Sequence, residues 1–167
     1  MERGINREEQ GTKIAKIYCD GACNNKLEQP AMGMGVAVYI NEEYQEELSR
    51  AFKIEPEVRE EKLTSNVAEW FATMEGMKIA ADLIKDVHLI FVYSDSQVIT
   101  SQFNGDYAIR KQEFEEYFKV AHTYAQIAGV SKMTWIPREE NTKADELSKI
   151  GLHGEGYCVE KRRVVSK

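Results

Sequence analysis

The sequence predicts an α/β protein with a mixed β-sheet. Three observations support this class: strand-like segments near the N-terminus, a long run of apolar residues at helical spacing in the middle of the chain, and a largely apolar segment directly after it. Strands followed by alternating helices and strands are typical of a sheet whose antiparallel half is joined to a parallel half. With 167 residues and 43% hydrophobic content, the chain can bury one core, so we expect one domain.

The antiparallel half of the sheet is expected near the N-terminus. Segments 14–20, 33–40 and 45–54 have strand-like composition and are separated by turn-forming residues. We expect them to form an antiparallel meander. A charged linker over residues 56–62 then leads out of this half.

The parallel half follows the linker. Apolar residues recur at helical spacing from Val67 to Ile84 and predict an amphipathic helix. Val87 to Tyr93 has the composition of a central parallel strand that is covered on both faces. The remaining predicted elements are a short helix that begins after Asp95 and runs to about Phe103, a helix over 114–128 ended by Gly129, a short strand over 133–136, and a final helix from Asn141 or Thr142 to Gly151. The expected sheet therefore has five strands, three antiparallel and two parallel, flanked by helices.

The expected domain spans residues 13–152. Residues 1–12 are polar and predict a flexible N-terminal tail, and residues 153–167 predict a basic C-terminal tail. No apolar run reaches the roughly 18 residues that a membrane helix needs, and the first residues lack the apolar region of a signal peptide. A soluble, cytoplasmic protein without a membrane partner is therefore expected.

The composition argues against a protein that coats nucleic acid and against a zinc site. A net charge of −6 argues against a protein that coats nucleic acid by bulk electrostatics, so any affinity for nucleic acid must be local. The cysteines Cys19, Cys23 and Cys158 form an odd set without the second pair that a zinc site needs. We expect them to be reduced thiols.

Four carboxylates stand at the edges of apolar segments: Asp20, Glu69, Asp95 and Asp145. Two are expected to end neighbouring strands, and Glu69 and Asp145 to lie in the first turns of helices that can face the same sheet edge. Carboxylates that converge beside a core need counter-cations. Oxygen ligands select Mg²⁺ or Mn²⁺, and a pair of such ions ~3.5–4 Å apart can hold the attacking and leaving oxygens of a phosphodiester. The pattern predicts a metal-dependent nuclease.

The same segments resemble the type 1 ribonucleases H. The resemblance runs from about Lys13 to Gly151 and is carried by four motifs: DGACNN with GMGVAVY downstream, TSNVAEWFA, YSDSQ, and WIPREENTKADELSK. It implies the ribonuclease H-like fold and endonucleolytic cleavage of the RNA strand of an RNA·DNA hybrid, with no obligate protein partner evident.

The resemblance also implies the metal ligands. Asp20 would bridge two Mg²⁺ ions, for which Mn²⁺ can substitute. One ion, held by Asp20 and Asp145, would activate the attacking water, and the other, held by Asp20, Glu69 and Asp95, would stabilise the leaving 3′ oxygen. The products would carry 5′-phosphate and 3′-hydroxyl ends.

Several substrate-binding residues are implied in the same way. Thr64 matches a position that holds a DNA phosphate at a helix N-terminus. Asn66 and Gln97 match residues that read 2′-hydroxyls in the minor groove of the hybrid. Ser65 stands where an Asn is common in the family, which puts one minor-groove contact in question.

The remaining candidate residues lie in the loop after the first strand and in the segment just before the last helix. Cys23 and Asn25 lie in the loop expected near the RNA strand, where either Asn24 or Asn25 is the family equivalent. The chain lacks the Gly-His loop of many relatives, and Arg138 occupies this approach, as in the bacterial and archaeal branch. We therefore include Arg138 among the candidate catalytic residues. The segment 105–111 is too short for the basic protrusion of some relatives, which predicts weak substrate binding.

Plainer interpretations remain open for individual residues. Glu69 follows Asn66 at the spacing of a capping box, Asp145 would suit a helix N-terminus, and Asp20 would suit a turn. Asp95 with Ser96 could cap the next helix. The coincidence of all four acids at family positions favours the metal site.

Two other residues have alternatives, and so does the function. Thr64 could be a simple N-cap, and Arg138 could pair at the surface with Glu139 or Glu140.

The chain could instead be a resolvase-like nuclease of the same fold acting on another nucleic acid, or a non-catalytic nucleic-acid-binding module. The first would lack readers of 2′-hydroxyls, and the second would be expected to have lost an acid.

Overall fold

The structure is a computed structural model that describes residues 11–26, 30–56, 63–154 and 159–162. In this part of the chain, a seven-stranded sheet is combined with four α-helices. The strands are β1 (Ile14–Asn24), β2 (Ala31–Ile40), β3 (Glu43–Tyr44), β4 (Arg50–Pro56), β5 (Leu89–Ser94), β6 (Thr134–Trp135) and β7 (Val159–Arg162). The helices are α1 (Ser65–Asp82), α2 (Gln97–Phe103), α3 (Gln112–Ala128) and α4 (Thr142–Leu152).

The sheet has a mixed topology, which confirms the predicted α/β class. Its order is β6-β5-β1-β2-β4-β7, and β3 pairs with β2 away from this path. The strands β1, β2 and β4 are antiparallel, whereas β5 is parallel to β1 and β6 is parallel to β5. Because β5 and β6 run in the same direction as β1, the C-terminal ends of β5 and β6 lie at the same edge of the sheet.

The sheet has two more strands than the five predicted. The hairpin stub β3 follows a two-residue turn at Asn41 and Glu42, whose φ angles of 50° and 69° suit a tight hairpin. Strand β7 pairs in parallel with β4 and lies within the segment predicted to be a basic tail. The remaining residues of the two predicted tails, apart from 11–12 and 153–154, lie outside the described residues.

The predicted start of the third strand was wrong. Strand β4 begins at Arg50 rather than at residue 45, because residues 46–48 form a turn. The Ser49 hydroxyl donates to the carbonyl of Gln45 at 2.8 Å and accepts from the Val38 amide at 2.9 Å, which closes this turn against β2. The predicted linker after β4 falls largely outside the described residues.

Strand β5 is covered on one face rather than on both. Leu89 and Phe91 are 48% and 39% exposed, whereas Val92 is buried. The reason is the position of α4, which packs on β1, β2 and β4 but does not extend over β5. The parallel strand therefore has an open side.

Helix α1 was predicted to be amphipathic but is buried on almost every side. It packs on β1 with one face and on α3 with another, so that 13 of its 18 residues are buried. Trp70 is fully buried, and its indole N–H donates to Gln102 in α2 at 3.2 Å. Among the described residues, no helix is long and apolar enough to cross a membrane.

Close packing of α4 on β2 depends on glycine. Gly33 and Gly35 point to the same face of β2, and a Cβ atom at Gly35 would overlap the carbonyl oxygen of Ala144 in α4. Gly35 is also the register partner of Asp20 in β1. The missing side chain thus lets the start of α4 lie directly over the strand pair that contains Asp20.

Candidate active site

The four acids lie on four different elements around the same sheet edge. Asp20 is within β1, Asp95 directly follows β5, Glu69 is in α1 and Asp145 is in the first turn of α4. One oxygen each from Asp20, Glu69 and Asp95 lies within 4.8 Å of the others. Cys19 in β1 pairs with Ser94 in β5. Asp20 and Asp95 are the next residues along these two parallel segments, so they lie side by side.

Two details of the predicted placement were wrong. Asp20 does not end its strand, because β1 continues to Asn24 as the partner of β2. Glu69 lies outside the first turn of α1, which starts at Ser65 after the N-cap Thr64. The hydroxyl of Thr64 accepts from the Val67 amide at 3.2 Å. The capping-box interpretation of Glu69 is therefore excluded.

Gly21 holds two of the acids together. Its backbone N–H donates both to Asp20 Oδ1, at 2.9 Å, and to Glu69 Oε1, at 2.5 Å. A Cβ atom at this position would overlap the backbone of Ala68 and lie 2.7 Å from the nitrogen of Glu69. Glycine here allows α1 to approach β1 closely enough for the two carboxylates to share one donor.

Asn141 is a positioning residue that the sequence analysis treated only as a helix start. Its side chain is 1% exposed, and its amide donates to the Cys19 carbonyl at 2.9 Å and to Asp95 Oδ2 at 3.0 Å. It makes no side-chain cap on α4. Asn141 therefore connects β1, Asp95 and α4. Capping is the default explanation for an Asn before a helix, which hid this role.

Burial dominates the electrostatics of Asp20 and Glu69. It raises the pKa of Asp20 to about 7 and the pKa of Glu69 well above its usual range, with the neighbouring carboxylates contributing to both shifts. Asp20 interacts with both Glu69 and Asp145, so the ionisation of these three carboxyl groups is linked. When no other cation compensates their charge, Asp20 and Glu69 keep their protons to a higher pH than free carboxyl groups do.

Asp145 differs from the other three acids because it has basic neighbours. Lys149 Nζ lies 3.0 Å from Asp145 Oδ2, and an Arg138 guanidinium nitrogen lies 4.0 Å from Oδ1. Burial opposes ionisation of Asp145, but Lys149, Asp20 and Arg138 together outweigh it and hold the pKa of Asp145 below its usual range. In the described part of the chain, no lysine or arginine forms an ion pair with Asp20, Glu69 or Asp95.

An open cavity of about 470 Å³ lies over the acids. Its walls include all four carboxylates, together with Cys23, Ser65, Asn66, Arg138 and Lys149. Of the predicted substrate-binding residues, the structure thus brings Cys23 and Asn66 to the cavity. Thr64, Asn25 and Gln97 lie outside its walls.

The residues outside the cavity have defined local contacts. The Asn25 amide donates to the Leu63 carbonyl at 2.8 Å and accepts from the Leu63 amide at 3.1 Å, which ties the loop after β1 to the start of α1. Gln97 is exposed as the first residue of α2. That helix is capped by Ser96, whose hydroxyl accepts from the Ile99 amide, so Asp95 is not its cap.

The chain is similar to known proteins over most of its length. The profile of a family described as reverse transcriptase-like matches residues 19–151. A ribonuclease H1 named LC11, isolated from compost and solved in complex with an RNA/DNA hybrid, is 25% identical, with 84% of this chain and 97% of that chain covered and a TM-score of 0.66.

Two more distant structures share the fold. Ribonuclease H1 from the halophilic archaeon Halobacterium salinarum is 22% identical, with 84% of this chain and 98% of that chain covered and a TM-score of 0.67. An N-terminal ribonuclease H domain from Mycobacterium tuberculosis, solved as a fusion with maltose-binding protein, is 20% identical, with 84% and 95% covered and a TM-score of 0.66.

The raised pKa of Asp20 predicts how the stability of the protein depends on pH in EDTA. The folded-state value of about 7 lies above the ordinary value of 3.8, so the folded protein keeps a proton that the unfolded chain releases. The stability that Asp20 contributes is therefore full below about pH 4 and is lost as the pH rises to about 7. Asp20→Asn removes this loss, and at pH 8 we expect it to unfold with a free energy roughly 1–3 kcal/mol above wild type.

Urea denaturation of both proteins between pH 5 and pH 8 measures this effect. The advantage of Asp20→Asn should shrink toward pH 5. Asp106→Asn, which changes an exposed loop acid, is the matched control and should follow the wild-type profile. An Asp20→Asn protein no more stable than wild type at pH 8 would contradict the raised pKa of Asp20.

Proposed function

The chain belongs to the reverse transcriptase-like family, with the fold of the type 1 ribonucleases H, and from this premise we propose that it hydrolyses the RNA strand of RNA·DNA hybrids with two divalent cations. One observation carries the proposal. Three carboxylates, of which Asp20 and Glu69 are buried and Asp95 is half-buried, come within 4.8 Å of one another in the wall of an open cavity. In the described residues none of them forms an ion pair with a basic side chain.

The donor atoms fit hard divalent cations. Asp20, Glu69, Asp95 and Asp145 offer only carboxylate oxygens, which favour Mg²⁺, or Mn²⁺ as a substitute, over softer metals. Asp20 would contribute to both cation sites because it contacts Glu69 on one side and Asp145 on the other. Bound there, the cations would supply the Lewis acidity that activates water and stabilises the leaving 3′ oxygen, giving 5′-phosphate and 3′-hydroxyl ends.

The chain's own residues hold these ligands in place before any substrate arrives. Gly21 fixes one oxygen each of Asp20 and Glu69, and Asn141 fixes one oxygen of Asp95. Helix α4 cannot move away from β2 without opening the contact at Gly35. Ligand positions that are set by backbone packing need little reorganisation when the reaction begins.

Recognition of the hybrid is assigned to the cavity wall and the start of α1. Cys23 and Asn66 line the cavity beside Asp20 and Glu69, and we place the scissile RNA strand there. Asn66 would bond a 2′-hydroxyl, with Gln97 further along the same groove. The free amides at the N-terminus of α1, next to the exposed Thr64, would bind a phosphate of the DNA strand. Asn25 would hold this loop in position through Leu63.

Arg138 is assigned to the reacting phosphate. Its side chain is 78% exposed, and its structural partner is Asp145 rather than the neighbouring Glu139 or Glu140. A guanidinium stays charged at working pH and can contact two phosphate oxygens, but it is a poor proton carrier. It would therefore stabilise developing negative charge or assist departure of the product phosphate, without acting as a base.

The first functional prediction is substrate choice. In Mg²⁺, the protein should cut the RNA of a labelled hybrid internally and leave duplex DNA intact, with binding that weakens steeply as salt increases. The test compares hybrid, duplex RNA, duplex DNA and both single strands side by side. Asn66→Ala should lower kcat/KM on the hybrid roughly tenfold, the kinetic equivalent of one lost hydrogen bond.

Other outcomes of this comparison favour the rival functions. Equal cleavage of duplex DNA would favour a resolvase-like nuclease. Binding of the hybrid without cleavage of any substrate would favour a non-catalytic binding module. Either result would overturn the proposed activity.

The second functional prediction concerns Arg138. Arg138→Ala should lower kcat on hybrid by roughly 10- to 100-fold while Tm stays unchanged, because the side chain is exposed and makes only a loose ion pair. Arg138→Lys should fall between the two, since it keeps the charge but loses the planar fork. Arg110→Ala, at an exposed loop arginine, is the control. Unchanged turnover in both Arg138 variants would return this residue to a surface role.

A further inference from the structure

Asp145 differs from the other three acids in having a lysine against one oxygen. Lys149 Nζ lies 3.0 Å from Asp145 Oδ2, and the two residues are one helical turn apart. Both residues belong to α4, whose backbone is pressed against β2 at Gly33 and Gly35. The pair is therefore carried by a rigid element, although the Lys149 side chain itself is 60% exposed.

A divalent cation at Asp145 Oδ2 would compete with the lysine for the negative charge of this oxygen. Two positive charges held a few ångströms apart on one carboxylate oxygen repel each other, and the repulsion grows as the site loses water. Lys149 has a flexible four-carbon stem and an exposed head, so its ammonium can move into solvent. Arg138, at 4.0 Å, lies against the other oxygen and is a looser partner.

We propose that Lys149 is a tethered counter-cation that competes with the divalent cation for Asp145 and so sets the cation concentration at which the site fills. The inference rests on the proposed function, because it assumes that the acids bind divalent cations. Its physical basis is distinct, however, since it concerns the ion pair of Lys149 with Asp145, to which the proposed function assigns no role. When the site has no divalent cation, Lys149 compensates the charge of Asp145.

Removal of the lysine charge should tighten cation binding. We expect Lys149→Gln to lower the Kd for Mn²⁺ by about three- to tenfold, because the cation no longer has to displace an ammonium group or face its repulsion. Lys149→Arg keeps the charge and should bind Mn²⁺ no more tightly than wild type. The Mg²⁺ concentration for half-maximal cleavage of hybrid should fall in parallel in Lys149→Gln.

The test is calorimetric titration of MnCl₂ into the full chain without nucleic acid. Lys143→Gln is the matched control, because it removes the same charge from the same helix, but Lys143 pairs with Glu146 at 3.1 Å instead of with Asp145. We expect the Kd of Lys143→Gln to stay within about twofold of wild type. Urea denaturation of all variants checks that each one is folded.

The outcomes distinguish failure of this inference from failure of the proposed function. If wild type binds Mn²⁺ and Lys149→Gln binds it no more tightly than Lys143→Gln does, the inference is overturned and the proposed function stands. If folded wild type binds no Mn²⁺ at millimolar concentration, the proposed function falls and takes the inference with it.

Discussion

Like charges held together in a largely buried place are the constraint around which this protein is arranged. Asp20 and Glu69 are both buried and share the single N–H of Gly21. Mutual repulsion would separate them unless the backbone prevented it. Contacts at Gly21 and Gly35, where no side chain separates helix from strand, keep α1 and α4 against the sheet. The energy of core packing thus holds together an arrangement that electrostatics alone opposes.

Three kinds of positive charge can relieve this repulsion, and each belongs to a different condition of the protein. Protons are held by Asp20 and Glu69 to a higher pH than by free carboxyl groups, because burial raises the pKa of both. Lys149 pairs with Asp145. Divalent cations would replace both, which makes cation binding and release of protons linked events. The site's affinity for metal therefore depends on what it must displace as well as on its ligands.

Much of this could be predicted from the sequence, because strand and helix periodicity assigns the four acids to the right elements, although it misplaces Asp20 and Glu69 within theirs. The role of Asn141 could not, since an Asn before a helix normally caps it and only the packed structure shows its amide on Asp95. The open face of β5 at Phe91 was also missed. Apolar composition indicates a strand but does not reveal how far a helix such as α4 extends across the sheet. Pairing of β7 with β4 is a long-range contact that local patterns do not encode.

Cleavage of a labelled RNA·DNA hybrid by Asp20→Asn in Mg²⁺ tests most directly whether the acid cluster is the catalytic site, because Asp20 is the acid in contact with both Glu69 and Asp145. Urea denaturation of the same preparation establishes that it is folded. Turnover should fall by about a thousandfold or more, since several kcal/mol of transition-state stabilisation depend on this ligand. A folded Asp20→Asn protein with near wild-type turnover would contradict this role of the acid cluster.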